Sequence, residues 1–485
     1  MPKTHARSAG ADQAGAAEEP AGLDEGTPWS PAYRLMTVGL LTTIVGSAFE
    51  ALAVATILPA TAGELGGLSL YGWVFSAYVL ANMVGIVVAS GEADRFGPAR
   101  PFVAGVVLFV AGLLIGGLAP TMLVLILGRV VQGLGGGFIS SVVYVAVGRG
   151  YPPAAKPRML ALLSSAWVVP GLMGPAVAGL IADHIGWRWV FLGLIPFPII
   201  AVFMSLPALR RVPGGDLNGR DLGRVLWSVL LAAGAALLLV GFDQNRLLFA
   251  VPLVLLGVVI VWKPLGRLLP AGTVRARAGL PAAVAVMALV NGGFFGVEAY
   301  IPLGLTDVRD RSVSFAGLAL TAATVTWTAG AWIQARYVRR VSARWMVRTG
   351  LGLIVLGSVG AAAMVLDGVP VVVGIVAWGV AGLGMGLAYS RISLAVLEAA
   401  PKGQEGAATA AMQLGIVLLM AMTAGIGGVL VDAFGAGAGA IRTGLLVQDA
   451  LMLAILIGAI LLAVRLPGVP SRLDNEDTGG GGATA

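Results

Sequence analysis

Residues 35–63 read LMTVGLLTTIVGSAFEALAVATILPATAG, a run of 29 between Arg34 and Glu64 whose only ionisable side chain is Glu50. About 20 apolar residues rising 1.5 Å each cross a hydrocarbon core of roughly 30 Å, so this stretch spans a bilayer with room for tilt. Glu50 then lies far from either water phase. Even low estimates put a charge at bilayer depth at about 2.5 to 3.5 kcal/mol, so such an acid faces a bundle interior or a cavity. It either works in a transport pathway or is held structurally by a buried arginine.

Composition extends this reading to the whole chain. Of 485 residues, 58% are hydrophobic, 11% are charged and 71 are glycine, whereas about a quarter of the residues in soluble domains are charged. Apolar runs recur at 35–59, 71–89, 102–119, 122–147, 159–182 and 189–206, then in matching order at 280–301, 315–334, 346–366, 371–396, 407–431 and 445–464. Between the two sets lie 225–241 and 247–262, short runs read as an added helical hairpin, with a re-entrant or surface-lying pair as the alternative. The expected fold is an all-α polytopic membrane protein: two pseudo-symmetric six-helix bundles plus an inserted two-helix hairpin, 14 transmembrane helices in all. Its divisions are a tail at 1–34, an N-terminal bundle at 35–207, a linker with the hairpin at 208–279, a C-terminal bundle at 280–465 and a tail at 466–485. Both polar tails read as disordered and cytoplasmic.

The net charge of +7 would suggest nucleic acid for a soluble protein, but the basic residues follow the loops. With both termini inside, the inner loops carry Arg95, Arg100, Arg149, Lys156, Arg158, Arg210, Arg211, Arg220, Arg224, Lys263, Arg267, Arg275, Arg277, Arg336, Arg339, Arg340, Arg344, Arg348 and Lys402. The outer loops carry Arg188, Arg246, Arg309, Arg311 and Arg442. This is the positive-inside asymmetry of a membrane protein, and it leaves no call for a nucleic-acid partner. The chain has no cysteine, which excludes disulfides and thiol chemistry, and its two histidines, His5 and His184, cannot build a metal cluster alone. The four lysines follow Pro2, Ala155, Trp262 and Pro401, so there is no Gly-Lys phosphate loop and no nucleotide motor. No nucleophile and base stand together, so an enzyme is not expected.

Internal repetition is read from three features. Gly133-Leu-Gly-Gly-Gly137 reappears as Gly382-Leu-Gly-Met-Gly386, an offset of 249, and Gly179-Leu-Ile-Ala-Asp183 as Gly428-Val-Leu-Val-Asp432, again 249. Glu50 is answered by Glu298 at 248. Their agreement favours a duplicated carrier, which places its site at the interface of the halves. Within the expected helix 280–301, Glu298 lies near the outer end, and no arginine answers Arg129 at the repeat position.

Three motifs carry a resemblance. Asp94-Arg95-Phe-Gly97-Pro-Ala-Arg100 joins the second and third helices, where a carboxylate and a guanidinium in a tight turn can bond a neighbouring helix end or each other and latch the cytoplasmic face. In the fourth helix stands Leu125-Ile-Leu-Gly-Arg129-Val-Val-Gln132-Gly133-Leu-Gly135, a permanent cation deep in the span for which Glu50 is the candidate partner, with Gly133 and Gly137 open to close packing. The fifth holds Pro170-Gly-Leu-Met-Gly174-Pro175-Ala-Val-Ala178-Gly179, small residues for tight contact and a Gly-Pro step that weakens the helical ladder and allows a bend. In this order the chain resembles the major facilitator superfamily. The loop is similar to Gly-x-Leu-Ala-Asp-Arg-x-Gly-Arg-Lys, with Ser90, Glu92 and Pro98-Ala99 as departures. The fourth helix matches Leu-x-x-x-Arg-x-x-Gln-Gly-x-Gly at every fixed position, and the fifth resembles the Gly-x-x-x-Gly-Pro-x-x-Gly-Gly element of exporters, with Pro170 and Ala178 for two glycines.

With its extra helix pair the chain looks like the fourteen-helix drug:proton antiporter group of that superfamily. The resemblance implies export of hydrophobic or cationic drugs by alternating access, driven by the proton gradient with no cofactor and no metal. It also implies a bacterial plasma (inner) membrane, a lipid bilayer around a monomer, and small molecules and protons as its partners. Glu50, Glu298 and Arg129 would carry the coupling, and Glu298 could instead bind cationic substrate. Residue chemistry alone supports a membrane carrier with buried carboxylates; a lipid or metabolite exporter on the same fold and a non-transporting sensor or scaffold remain the alternatives. Asn82, Tyr144, Asn291, Trp327, Trp378, Tyr389 and Gln413 offer polar or aromatic contacts to a substrate, or serve as packing. A single cysteine introduced at Arg246, against a background without thiols, is expected to react with membrane-impermeant maleimide added outside; reaction from the cytoplasmic side only would overturn the topology.

Overall fold

The computed structural model describes residues 27–466 apart from 153–154, 215–221, 245, 338–340, 402–404 and 436. Both expected tails, for the most part, and the expected inner charges Arg220, Arg339, Arg340 and Lys402 lie outside the described residues. The first half contains α1 (Arg34–Leu65), α2 (Tyr71–Phe96), α3 (Ala99–Gly117), α4 (Met122–Gly150), α5 (Lys156–Ser165), α6 (Val168–His184), α7 (Arg188–Gly193) and α8 (Pro196–Leu209). The hairpin is α9 (Leu222–Phe242) and α10 (Leu247–Leu268). The second half contains α11 (Leu280–Glu298), α12 (Ile301–Leu303), α13 (Val313–Tyr337), α14 (Ala343–Ala363), α15 (Val371–Glu398), α16 (Glu405–Asp432) and α17 (Ala438–Leu462). Among the described residues 13 helical segments are long and apolar enough to cross a bilayer, and α6, extended by α5, makes the fourteenth. Both hairpin helices exceed the apolar runs that announced them, reaching 21 and 22 residues.

Three expected helices are broken, each next to a proline. Proline has no N–H for the carbonyl four residues back, and its ring collides there. Pro170 faces Ala166, where α5 gives way to α6, while α6 runs unbroken through Pro175. The discontinuity therefore falls at Ala166–Trp167, just before the exporter-like element, and not at its Gly-Pro step. Pro196 and Pro198 begin α8 and separate it from α7. Pro302 removes the bond to the carbonyl of Glu298, so α11 stops at Glu298 and the chain restarts as α12 and a π turn, Gly304–Val308. The whole crossing runs Leu280–Val308, so Glu298, the last residue of α11 as its place near the outer end of the helix leads one to expect, still stands 10 residues from the outer end of the crossing, roughly 15 Å at helical rise.

Glycines facing carbonyls tie the helices together, and the pattern is repeated. A Cβ on Gly133 would sit 2.2 Å from the Tyr78 carbonyl and one on Gly137 2.2 Å from that of Asn82, which presses α4 on α2. A Cβ on Gly382 would meet Ala323 at 2.2 Å and one on Gly386 would meet Trp327 at 2.2 Å, which presses α15 on α13. Gly135 against Gly105 and Gly384 against Gly350 do the same for α4 on α3 and α15 on α14. Such contact needs small residues, because packing in a membrane is van der Waals contact between backbones.

The halves meet along α6–α13 and α2–α16. At the end where α2, α4 and α13 begin, outer in the topology that the charges predict, Asp183 accepts from Ser314 N (3.1 Å) and Ser314 Oγ (2.5 Å), capping α13 from the opposite half. Tyr71 Oη donates to the Ala299 carbonyl (3.2 Å), freed by the break after α11, and Tyr71 packs on Tyr300 with ring centroids 5.2 Å apart. Deeper, Ser76 Oγ donates to Ala421 O (2.6 Å). The hairpin lies against this seam: α9 packs on α2 and α16, and α10 buries only Gly257 and Pro264. At its tip, burial and then the charge of Asp432 raise the Asp243 carboxyl above its ordinary range.

Gly137→Val and Gly386→Val are expected to lower the melting temperature of the detergent-purified protein by forcing α2–α4 and α13–α15 apart, at a cost of roughly 1–3 kcal/mol each. Gly458→Ala, with open space around it, is expected to leave melting unchanged or raise it. Equal melting of all three would refute the packing account.

Candidate transport site

Glu50 is the 17th of the 32 residues of α1, roughly 24 Å from its start. It is fully buried and forms an ion pair with Arg129 of α4, itself 3% exposed. The guanidinium has further partners: Nη1 also donates to Gln132 Oε1 (2.6 Å), Nε donates to Val74 O (3.1 Å), and the centroid of the Tyr78 ring lies 4.0 Å from Cζ. Thus α1, α2 and α4 converge on one charge. Gln132, in the motif for its spacing, anchors the cation, while its backbone bears on Gly112 of α3. Glu50 Oε2 and Gln132 Nε2 have no hydrogen-bond partner. One carboxylate oxygen is thus bound by the cation and the other is unengaged.

The second half has the acid without the cation. Glu298 is 8% exposed, and at the repeat position of Arg129, offset by 249, stands Trp378, fully buried. The indole N–H is turned toward the Glu298 carboxyl without closing a hydrogen bond. Trp378 stacks on Phe294 at 4.6 Å, Phe294 meets Trp327 edge-on at 5.6 Å, and Trp327 leans on Tyr389 at 5.8 Å. Three of the expected substrate contacts, Trp327, Trp378 and Tyr389, therefore form one aromatic chain beside Glu298. Tyr144 of the first half is exposed and lies close enough to Tyr389 for their phenols to interact electrostatically. The other candidates are not gathered here. Asn291 turns back to Met287 O (2.8 Å), the Asn82 carbonyl takes the approach of Gly137, and Gln413 is exposed on α16.

The loop motif joins parts of one half. Asp94 pairs with Arg149 at the end of α4, and both side chains are about one-third exposed. Arg95 and Arg100 lie 4.8 and 5.1 Å from the centroid of the Phe96 ring, and Gly97 turns the chain at φ 78° against Val212. The exporter-like element joins the two halves. Gly171 and Gly179 receive Thr324 and Ser314 of α13, the Pro175 carbonyl lies against Gly317, and Gly174 faces Phe49 of α1.

Sequence reasoning missed several groups. Tyr78 and Val74 are visible only once α2 is laid on α4. Phe294 and Phe295 share the run of Glu298 and could have been read from it. Asp449 of α17, 7% exposed, is the only ionisable residue between Arg442 and Arg465, which is the same signal that singled out Glu50.

The sequence profile of the Major Facilitator Superfamily matches residues 38–415. The chain belongs to that superfamily. It is 26% identical over 419 residues to the multidrug transporter protein MdtP of Bacillus subtilis, covering 82% of this chain and 77% of that protein. It is 28% identical over 420 residues to a probable multidrug-efflux transporter of Mycobacterium tuberculosis, covering 80% and 86%. Among solved structures, an auto-inhibited POT family peptide transporter matches with TM-score 0.65 at 14% identity, covering 90% of this chain and 98% of the other. A bacterial homologue of the human lysosomal transporter Spinster, inward-facing and unoccupied, matches with TM-score 0.62 at 14% identity, again over 90% and 98%. At these identities the structures share the fold alone. Superfamily membership makes the chain a multi-pass membrane transporter of small molecules and not an enzyme.

Arg129→Ala removes the ion pair together with the bonds to Gln132 and the Val74 carbonyl and the contact with the Tyr78 face, a loss of about 3–5 kcal/mol. Glu50→Gln should cost less, because Arg129 keeps Gln132, the Val74 carbonyl and the Tyr78 face. The expected order of melting temperatures is wild type, Glu50→Gln, Arg129→Ala; the reverse order of the two variants would contradict this assignment of partners.

Proposed function

We propose that this transporter is a proton-coupled antiporter that exports hydrophobic or cationic compounds by alternating access, from the plasma membrane of a bacterium with both termini inside. The observation that carries the reading is the Glu50–Arg129 pair, buried at mid-span between α1 and α4. A guanidinium beside a carboxylate favours the ionised form, and a buried carboxyl that has lost its cation favours the protonated one. If α1 shifts against α4 during the cycle, Glu50 gains or loses a proton with the change of state, which is the coupling an antiporter needs. The curated relatives named for multidrug transport support the substrate class. So does the aromatic chain from Trp378 to Tyr389 beside a carboxylate, since aromatic faces with one anion suit a lipophilic cation. In the predicted orientation the halves are closed by Asp183 and Tyr71 at the outer end, the arrangement that would load compound from the cytoplasm.

Reconstituted in vesicles, the wild type is expected to concentrate ethidium when a pH gradient is imposed. Glu50→Gln is expected to abolish this accumulation and retain gradient-free ethidium exchange. Glu298→Gln is expected to impair cationic compounds more than neutral ones. Undiminished pH-driven accumulation by Glu50→Gln at normal protein levels would overturn the role of Glu50, and uptake in symport with protons would overturn antiport.

A further inference from the structure

Asp449 is a third acid at membrane depth, and no step above uses it. It sits 11 residues into α17, roughly 17 Å from the helix start at the predicted outer end. Asp449 lines a small cavity between α11, α12, α14 and α17, with room for about one water. Apart from Tyr300, whose hydroxyl is bonded elsewhere, the other lining side chains are apolar, among them Val297, Met364 and Val365. Gly304, Val365 and Val297, the neighbour of Glu298, all line it. The cavity thus lies beside the break that Pro302 makes after Glu298.

Charged and titratable groups surround Asp449 without engaging it. Neighbouring elements bring Glu298 from α11, Tyr300 from the break, Asp307 from the π turn and Asp432 from α16, while α14 carries Arg344 and Arg348 at its far end. On α17 itself the nearest cation, Arg442, is bidentate on Asp367 at 2.5 and 2.7 Å. Tyr300 Oη donates to Ala424 O. Among the described residues Asp449 has no hydrogen-bond or ion-pair partner. Two further polar atoms nearby are buried without partners: Gln448 Oε1, and Ser358 Oγ one turn along α14 from the cavity-lining Ala361. At the repeat position, offset by 249, the first half has Ile200, so the acid is peculiar to this half.

An unpaired carboxylate at this depth is sustained by neutralisation, and a cavity that admits about one water and offers no second anionic ligand suits a proton over a metal cation. We propose that Asp449 is a second proton-binding site, loaded from the outer end through this cavity, which supplies the transport cycle with an exchangeable proton beyond that of Glu50. The step is the addition of one proton, delivered by water, to a carboxylate oxygen, and its return to water when the halves change state. The proposal rests on the antiport reading for its place in the cycle and on the cavity alone for the site.

The test uses the full-length protein in vesicles and two readouts. In acid-minus-alkaline difference infrared spectra, the wild type is expected to show a protonated-carboxyl band that Asp449→Asn removes and Glu50→Gln retains. Under an imposed gradient of about tenfold in proton activity, Asp449→Asn is expected to lower the limiting accumulation of ethidium by about tenfold, the loss of one coupled proton, with gradient-free exchange unchanged. Asp449→Glu is expected to restore both, which separates the proton from the packing. A difference spectrum and an accumulation limit both unchanged in Asp449→Asn would overturn the proposal. A wild type that shows the Asp449 band but never couples ethidium to a pH gradient would refute antiport and leave the proton site standing.

Discussion

A permanent positive charge in the middle of an apolar span constrains this molecule more than any other feature. Arg129 cannot lose its proton, so its surroundings must supply what water would: Glu50 from α1, the Val74 carbonyl and Tyr78 face from α2, and Gln132 from its own helix. Those demands fix how three helices of the first half sit together. An ion pair that is satisfied in one packing arrangement and broken in another gives a helix shift an electrostatic consequence.

Close backbone approach is the second constraint, and it applies to both halves alike. The same glycine-to-carbonyl contacts join α4 to α2 and α3 and join α15 to α13 and α14, so the duplication survives in the packing at positions where almost no other residue fits. Chemistry then departs from symmetry on that common frame. Arg129 and Gln132 are answered by Trp378 and Ala381, and Glu298 faces an indole where Glu50 faces a guanidinium. One half is organised around charge, the other around an aromatic chain with a lone acid. The two halves therefore share a packing frame and differ in the chemistry it carries.

The seam between the halves follows from small residues and helix ends. Gly171, Gly179 and Gly317 let α6 and α13 touch, and Asp183 accepts from the N–H and hydroxyl of Ser314 at the start of α13. Helix breaks next to Pro170, Pro196 and Pro302 interrupt three crossings, and the last of them sits beside both Glu298 and Asp449. Backbone freed in this way within a membrane has to be covered by protein, and the Tyr71 hydroxyl does so at Ala299.

The crossings, their order, the duplication and the Glu50–Arg129 pairing were legible in the chain itself, because the bilayer imposes a length and a polarity on each crossing and makes any ionisable residue conspicuous. The same rule marked Asp449, although its significance came only with the cavity around it. Other features needed the folded chain. That Pro302 and not the loop defines the level of Glu298, that Trp378 occupies the place of Arg129 beside it, and that Asn291 turns back on its own helix depend on which faces meet. Hydropathy and spacing constrain each helix along its own axis, whereas the rotation of one helix against another is set by which side chains fit between them, and that the sequence alone does not display.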